Sequence, residues 1–471
     1  MAIQVSDSSA SNVSASQRID RRGALQSLLE GRPSLDSAST DLDALNPFSA
    51  IRDRAAEEVR SLSLPSTRDE EWRFTDLSPL LKQPFQASQH QDFGLTVADL
   101  EPFFLPESYG CTLVFVNGHY APQFSSAAPL PDGLVVTHLA NPEFLAAQPT
   151  ALTSYFDKQE GVERVFTTLN TASFADAAVI WISPNVVTTI PIHVLFVTAP
   201  SATTPSEKTP GAGLAVTPRC LVVAERNSAL TLVEDHVAIG EGSYFTNSVT
   251  EIWVEENSRI NHVRLQRDRT DAIHIGKTAV SQAKTSYYTC NAISLGAQVS
   301  RHNLEVFQGG EETDTTMNGL TLIAGEQLAD THSLMAYTKP YGTSRQLHKC
   351  IVDDKAHAVF NGKVNVPQAA QMTNANQLNR NLLLSSRGRV DTKPQLEIVA
   401  DNVKCTHGAT VSQLESDEVF YLRSRGIDAE QAQDLLVYAF AAEILQEIPV
   451  ESLRSRLSRR IESLTQSKSK K

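Results

Sequence analysis

Two short β-branched runs separated by one turn make up the stretch Cys220-Leu-Val-Val-Ala-Glu-Arg-Asn-Ser-Ala-Leu-Thr-Leu-Val233. The turn Ala-Glu-Arg-Asn-Ser228 has a close counterpart 30 residues later, Val-Glu-Glu-Asn-Ser258, which also precedes an alternating run. A strand, a turn and a strand that return after a roughly fixed interval are typical of a stacked β architecture. This pattern favours a β-solenoid, although two β-sandwiches in tandem would produce a similar sequence.

The same kind of sequence extends from about Cys111 to Val411. Helical periodicity is almost absent there, apart from possible helices at residues 141–147 and 156–169. Short runs bounded by Gly, Asn, Ser or Pro predict strands. The clearest strand candidates are residues 112–116, 179–182, 193–197, 220–224, 230–233, 249–254 and 260–265.

Both ends of the chain have helical patterns. Asn46-Pro47 is a good helix start, and Pro65 ends that helix. The segment 65–76 then carries Trp72 and Phe74, which either fill a core or dock a partner chain. Three helices are predicted after residue 412, and the middle one has an apolar stripe between Ala432 and Ile444. We expect terminal helices to cover the open ends of a solenoid.

These patterns predict four parts. Residues 1–45 form a flexible, Ser-rich N-terminus with one short helix, and residues 46–170 form an N-terminal helical and mixed region. Residues 171–411 form the β core, and residues 412–471 form a C-terminal helical domain.

Composition excludes several classes of protein. The chain has 471 residues, 41% hydrophobic residues and a net charge of −13, which is opposite to the balance of a general nucleic-acid binder. No apolar run approaches the roughly 20 residues that span a bilayer. The five cysteines include no C-x-x-C pair, and the N-terminus lacks the basic and apolar blocks of a secretory signal. We therefore predict a cytoplasmic protein with no nucleic-acid or membrane partner.

Motifs for enzymatic chemistry are missing. Gly276-Lys-Thr278 ends like a phosphate loop, but Asp271 stands where the first Gly is required. There is no G-x-S-x-G elbow and no H-E-x-x-H. The twelve histidines are scattered, and we interpret most of them as ordinary polar residues of strands. The sequence therefore predicts a protein that is not an enzyme.

One short segment combines a thiol and an imidazole. In Asp401-Asn-Val-Lys-Cys-Thr-His-Gly-Ala-Thr410, Cys405 and His407 are two residues apart and would share one face of a strand. Both are suitable ligands for a transition metal, but two ligands do not complete a tetrahedral site. Either the other ligands come from another chain, or Cys405 and His407 are structural residues that close the last rung.

The C-terminal motifs resemble the SufD branch of the SufB/SufD family, which belongs to the Suf system for iron–sulfur cluster assembly. The matching stretches are Lys404-Cys-Thr-His-Gly-Ala-Thr-Val411, Phe420-Tyr-Leu-Arg-Ser-Arg-Gly-Ile427 and Tyr438-Ala-Phe-Ala-Ala-Glu443. Further matches are Arg68-Asp-Glu-Glu-Trp-Arg-Phe-Thr75, Val114-Phe-Val-Asn-Gly-His119 and Leu169-Asn-Thr-Ala172. The resemblance extends from about residue 46 to residue 447.

This resemblance implies a fold and two partners. The implied fold is mainly β, with a right-handed parallel β-helix core between N-terminal and C-terminal helical regions. SufD-like chains pair with SufB through their β-helices, and each presents C-terminal helices to SufC, an ABC-type ATPase. We expect the stripe from Ala432 to Ile444 and the segment 421–426 to dock SufC. The residues selected for this surface are Tyr421, Arg423, Arg425, Gly426, Leu435, Leu436, Tyr438 and Phe440.

The resemblance also implies a role for the Cys-x-His segment. In the family, the His of this motif is implicated in holding or forming the nascent iron–sulfur cluster, together with a Cys of SufB. That residue is His407 here, and Cys405 is a weaker candidate for a ligand. Some family complexes bind reduced flavin. The sequence shows no flavin motif, so flavin binding stays open.

Two other interpretations fit a β-helix. Carbohydrate-active β-helix enzymes use convergent Asp, Arg or Lys on one solenoid face, whereas the clearest motif here is Cys plus His. A purely structural homodimer is also possible, because a β-helix edge could pair with itself.

Overall fold

A computed structural model describes residues 20–33, 47–87, 94–127, 130–147, 149–159, 161, 164–200 and 212–466. Most of residues 1–45, which were predicted to be flexible, lie outside the described ranges. Residues 21–30 are described, and they form the expected short helix. The helices are α1 (Arg21–Glu30), α2 (Pro47–Ser61), α3 (Ser78–Leu81), α4 (Val97–Leu100), α5 (Pro142–Ala147), α6 (Pro149–Tyr155), α7 (Val165–Ser173), α8 (Ser416–Ser424), α9 (Ala429–Leu445) and α10 (Glu451–Gln466).

Strands account for most of the remaining structure. They are β1 (Phe85–Ala87), β2 (Cys111–Val116), β3 (His119–Tyr120), β4 (Ser126–Ala127), β5 (Leu134–His138), β6 (Ala178–Ile182), β7 (Ile192–Thr198), β8 (Gly213–Val216), β9 (Arg219–Ala224), β10 (Ala229–Ala238), β11 (Tyr244–Val254), β12 (Arg259–Arg267), β13 (Ile273–Gln282), β14 (Tyr287–Ser294), β15 (Val299–Gln308), β16 (Asp314–Ile323), β17 (Leu328–Ala336), β18 (Thr343–Val352), β19 (His357–Val366), β20 (Asn374–Leu383), β21 (Arg389–Ile398) and β22 (Lys404–Gln413).

The strands form two facing sheets of a parallel β-helix. The first sheet runs β6-β9-β11-β13-β15-β17-β19-β21, and the second runs β2-β7-β10-β12-β14-β16-β18-β20-β22. Each rung gives one strand to each sheet and pairs in parallel with the next rung, for example Leu230 beside Ile260 and Ile260 beside Tyr288. Tandem sandwiches would consist of antiparallel hairpins, so the solenoid prediction is confirmed.

The turns noticed in the sequence are the corners of this β-helix. Asn227 and Asn257 both have positive φ, 60° and 56°, a conformation that Asn tolerates better than most residues. Their amides stack in a ladder, since Asn257 donates to Asn227 at 2.9 Å and Asn227 donates to Asn185 at 2.8 Å. Ser258 then donates its hydroxyl to the carbonyl of Glu255 at 2.6 Å. The 30-residue repeat is therefore the length of one rung.

The terminal helices cover the outer faces of the two sheets. Leu25, Val59 and Leu169 of the N-terminal helices pack against the first sheet, and Val437 and Leu453 of the C-terminal helices pack against the second. At the start of the β-helix, antiparallel strands β3, β4 and β5 continue the sheets. The structure therefore differs from the expectation that terminal helices cover the open ends: their apolar side chains pack on the outer faces of the two sheets.

One predicted helix was also wrong. Residues 156–169 are not continuous helix: α6 ends at Tyr155 and α7 begins at Val165. Asp157 has a φ of 58°, and its backbone N–H donates to the Glu251 carboxylate at 3.1 Å. This tertiary hydrogen bond replaces a helical one and stops the helix.

Other local predictions agree with the structure. Trp72 is buried against Phe166, so the segment after Pro65 contributes to the core. The structure also shows that Asp428 caps α9 by accepting from the backbone N–H groups of Glu430 and Gln431. Strands β2 and β5 lie within the predicted N-terminal region 46–170, although each belongs to one of the two sheets. The four predicted domain boundaries stay predictions. None of the helices in the described ranges has the length and apolar character needed to cross a membrane.

Neutral histidines are buried in the lumen of the β-helix. Burial lowers the pKa of His274 to about 4 and that of His348 to about 4, and it holds the pKa of His302 far below its usual range. The unfolded chain would bind protons on these residues near pH 6.5, whereas the folded chain does not. The stability that these three neutral histidines contribute is therefore complete above about pH 6.5 and is lost as the pH falls toward 4.

The substitution His348→Gln tests this linkage. From an ordinary pKa of 6.5 and a folded pKa of about 4, the wild-type residue should lower the free energy of unfolding by about 2 kcal/mol between pH 7.5 and pH 5. The variant should lose about 2 kcal/mol less over that interval. Urea denaturation at both pH values measures it, and identical pH dependence of the two proteins would contradict burial of a neutral imidazole.

Candidate metal centre at the last rung

The β-helix ends in two strands with open edges. β21 pairs with β19 and β22 pairs with β20, and within the described residues no strand lies beyond either of them. The residues of β22 are mostly exposed, unlike those of the preceding rungs. Its outward N–H and C=O groups are therefore free to pair with another chain.

Cys405 and His407 both lie on β22 and share one face, as the sequence predicts. Cys405 is beside Ala375 of β20, and His407 is beside Gln377. The residues in register with His407 on earlier rungs, such as Gln377 and Gln346, are buried in the lumen. His407 thus continues a lumen-facing column, and it is exposed because no rung of the described chain covers it.

The two side chains differ in accessibility. Cys405 is half-buried against the lumen core, and burial raises the pKa of its thiol, an effect partly opposed by a hydrogen bond from the backbone of Ala375. The thiol is therefore protonated at neutral pH and must lose that proton before it can bind a metal. The His407 imidazole is exposed to solvent and can bind directly.

The pair does not form a complete metal site. No group of three or more His, Cys, Asp or Glu residues in the described part of the chain is arranged to hold a metal ion. A tetrahedral centre needs four ligands, so Cys405 and His407 could supply at most half of one.

The rim of this end is unusually apolar for an exposed surface. Val399, in the corner after β21, is 64% exposed, and Val411 of β22 is 48% exposed. Ile398 is also exposed. Exposed aliphatic side chains beside unpaired strand edges are typical of a protein–protein contact.

The residues predicted to dock SufC fall into two groups. The first group lies on α8, which buries none of its residues, and just after it. Within α8 are Tyr421 and Arg423, and following it are Arg425 and Gly426. Gly426 ends this segment with a φ of 89°, which favours glycine. The guanidinium of Arg425 lies 5.3 Å from the ring centre of Tyr421. Phe420, which was not selected from the sequence, is 70% exposed beside them.

The second group lies on α9. Leu435 is 46% exposed, whereas Leu436, Tyr438 and Phe440 are half-buried. Phe440 contacts the second sheet, because its backbone carbonyl accepts a hydrogen bond from the Lys349 ammonium of β18 at 2.8 Å. Within the apolar stripe, Ala432 and Ile444 are buried, whereas Leu435 and Ala439 are exposed. One side of the stripe therefore packs against the chain's own second sheet and the other side is exposed, so docking of SufC through this stripe stays a prediction.

Sequence reasoning missed a charged cluster inside the lumen. The Glu234 carboxylate accepts from Thr250 at 2.8 Å and lies 2.7 Å from the His236 ring and 3.3 Å from the His262 ring. Burial alone would lower the pKa of His262, but hydrogen bonds to Cys290 and Glu234 raise it to about 9. The sequence signal for this cluster was the recurrence of polar residues at lumen-facing positions of successive strands. The histidines among them had been interpreted as ordinary polar residues of strands.

Two family profiles match this chain. The family profile described as "SUF system FeS cluster assembly, SufBD core domain" matches residues 207–440, and the one described as "SufBD protein N-terminal region" matches residues 36–194. An iron–sulfur cluster assembly SufBD family protein of Synechocystis is 48% identical over 414 residues, which cover 86% of this chain and 88% of that protein.

Two further relatives extend the comparison. The protein ABCI7, chloroplastic, of Arabidopsis thaliana is 33% identical over 432 residues, 91% of this chain and 88% of that protein. The iron–sulfur cluster assembly protein SufD of Escherichia coli is 38% identical over 231 residues, 49% of this chain and 55% of that protein. With two family profiles along its length and a relative matched nearly end to end, this chain belongs to the SufBD family of iron–sulfur cluster assembly proteins.

Proposed function

We propose that this chain is a non-enzymatic scaffold subunit of a cytoplasmic iron–sulfur cluster assembly complex. In this proposal its β-helix pairs with SufB, its C-terminal helices dock the SufC ATPase, and His407 contributes one ligand to a nascent cluster at the SufB interface. The observation that carries the proposal is the exposed imidazole on the unpaired edge strand β22.

Edge pairing explains why the last rung is left open. The free edges of β21 and β22 offer two rows of backbone donors and acceptors, one from each sheet. A second β-helix that met both edges would continue both sheets across the interface. Val399 and Val411 would be buried by the same contact.

The cluster is the cargo of this interface. His407 would supply an imidazole nitrogen, and a Cys of SufB would supply a thiolate. Cys405 is a second candidate from this chain, but its raised pKa and contact with the lumen core make it the weaker one. Imidazole can replace thiolate in iron–sulfur sites, and sharing ligands between two chains overcomes the shortage of ligands on this one.

SufC docking would use α8 and the exposed side of α9. Phe420, Tyr421 and Leu435 form an apolar surface there, with Arg423 and Arg425 beside it. Aromatic and Arg side chains are typical hot spots of protein interfaces. Closure of two SufC subunits on ATP would move both C-terminal helical domains and thereby open the β-helix interface to iron and sulfide, which requires a two-state contact.

The variant His407→Ala tests the proposed ligand. In the complex co-expressed with SufB and SufC and purified anaerobically, we expect at least a tenfold loss of bound iron and acid-labile sulfide, because the exposed imidazole has no substitute on β22. The subunit stoichiometry should not change, since His407 is exposed and makes no core contact.

The matched control is Thr410→Ala, an exposed residue of the same strand on the opposite face. Its complex should retain the wild-type iron and sulfide content. Equal iron and sulfide in the His407→Ala and wild-type complexes would refute the assignment of His407. Dimers of this chain that persist when SufB is in excess would instead favour the structural homodimer.

The double variant Phe420→Ala/Tyr421→Ala tests the docking surface. Loss of one hot-spot contact of about 2 kcal/mol corresponds to roughly 30-fold weaker binding, so the affinity for SufC should fall by at least that factor. Binding of labelled SufC to the SufB-paired chain measures it. The control is Tyr109→Ala, because Tyr109 is 87% exposed elsewhere on the chain. Equal affinities of the double variant and the control would rule out α8 as the contact.

A further inference from the structure

A cavity of about 290 Å³ lies on the outer face of the first sheet, beneath the N-terminal segment. It is on the other sheet from His407 and plays no part in the proposed cluster site. Its volume is at the lower end of the range for small-molecule sites. The side chains that the argument uses are Trp72, Arg164, Arg301, Asn303, Leu334 and Lys363.

The floor of the cavity is a regular grid produced by the β-helix. Asn303 of β15 lies beside His332 of β17, which lies beside Asn361 of β19. Two positions further along the strands, Leu334 of β17 lies beside Lys363 of β19. Because the rungs are in register, these side chains are fixed about 4.8 Å apart between strands. The site is therefore preorganised by the backbone.

One wall is supplied by the segment that follows Pro65. Trp72 is 6% exposed, and the guanidinium of Arg301 lies 3.9 Å from its ring centre. The carbonyl of Glu71 accepts from Arg301 at 2.6 Å, and the Glu70 carboxylate pairs with Lys393 at 2.6 Å. These contacts hold the wall rigidly over the sheet. Trp72 and Leu334 give the cavity an apolar side.

Two buried donors in the lining have no hydrogen-bond partner among the described residues. They are Nδ2 of Asn303 and Nε of Arg301, in residues that are 4% and 2% exposed. A buried N–H without an acceptor costs about 1 to 3 kcal/mol, so such groups are uncommon in folded proteins. Both groups are donors with almost no accessible surface of their own, so a ligand would satisfy them with acceptor atoms such as oxygens once neighbouring side chains shift slightly.

The charged side chains of the lining indicate which class of ligand the cavity fits. Three permanently cationic side chains line the cavity, Arg164, Arg301 and Lys363, against the carboxylates of Glu71 and Glu305. The cations already have carboxylate partners, so the lining has no large net field. With an anionic oxygen both partners of the hydrogen bond from the Arg301 guanidinium would be charged, whereas with a neutral carbonyl acceptor only the donor would be.

We propose that this cavity binds a small molecule through a carboxylate or phosphate group, which accepts from Asn303 and Arg301 while its apolar part contacts Trp72 and Leu334. This inference is independent of the cluster site, since it concerns the opposite sheet and the N-terminal segment.

The test is equilibrium dialysis of the full chain with radiolabelled inorganic phosphate and, separately, radiolabelled succinate, at constant ionic strength. Phosphate or succinate, or both, should bind with a stoichiometry of about one anion per chain. The anion that binds more tightly identifies whether the site prefers a phosphate or a carboxylate group. The variant Asn303→Leu keeps a similar volume and removes a donor that has no partner, so it should fold normally and bind at least tenfold more weakly. The control Asn376→Leu alters an exposed amide on the second sheet and should bind like wild type.

A second variant tests the same position by a change of charge. Asn303→Asp keeps the size of the side chain and places a negative charge in the cavity, so it should also bind at least tenfold more weakly. No binding of either anion by the wild type at millimolar concentration would overturn the proposal. Binding by either Asn303 variant at the wild-type level would overturn it as well.

Discussion

Each rung of this β-helix satisfies its backbone hydrogen bonds through the rung before it and the rung after it, so the last rung must end in unpaired peptide groups. At the first end, antiparallel strands continue the sheets. At the other end, β21 and β22 remain edges within the described chain, and the terminal helices cover the sheet faces instead. The open end, its apolar rim and the exposure of His407 all follow from this arrangement.

Parallel, in-register stacking also explains where the polar residues lie. Each lumen-facing position is repeated on the next rung, so residues far apart in sequence form columns. One column is buried through Gln346 and Gln377 and reaches solvent only at His407, where the stack ends. On the outer face of the first sheet, the same stacking aligns Asn303, His332 and Asn361 into the floor of a cavity. Both sites are consequences of one repeat.

Local patterns in the sequence were sufficient to predict the repeating unit and the position of Cys405 and His407 on one face of a strand. Left-handed asparagines mark the corners, and residues two apart on a strand must share a face. Patterns of this kind could not identify the cavity, because its floor comes from several rungs and Glu71 contacts Arg301 across 230 residues. They also overestimated the helix at 156–169, where the Glu251 carboxylate accepts a hydrogen bond from the backbone of Asp157, because helical periodicity does not show such a tertiary contact.

In the proposed complex, the open edges of β21 and β22 form the contact with SufB. Hydrogen–deuterium exchange of backbone amides, measured for this chain alone and with excess purified SufB, tests it most directly. We expect the amides of β21 and β22 to exchange rapidly in the free chain and to become protected on mixing, while those of the earlier rungs exchange slowly in both states. Stable binding of SufB with no added protection in β21 and β22 would contradict it.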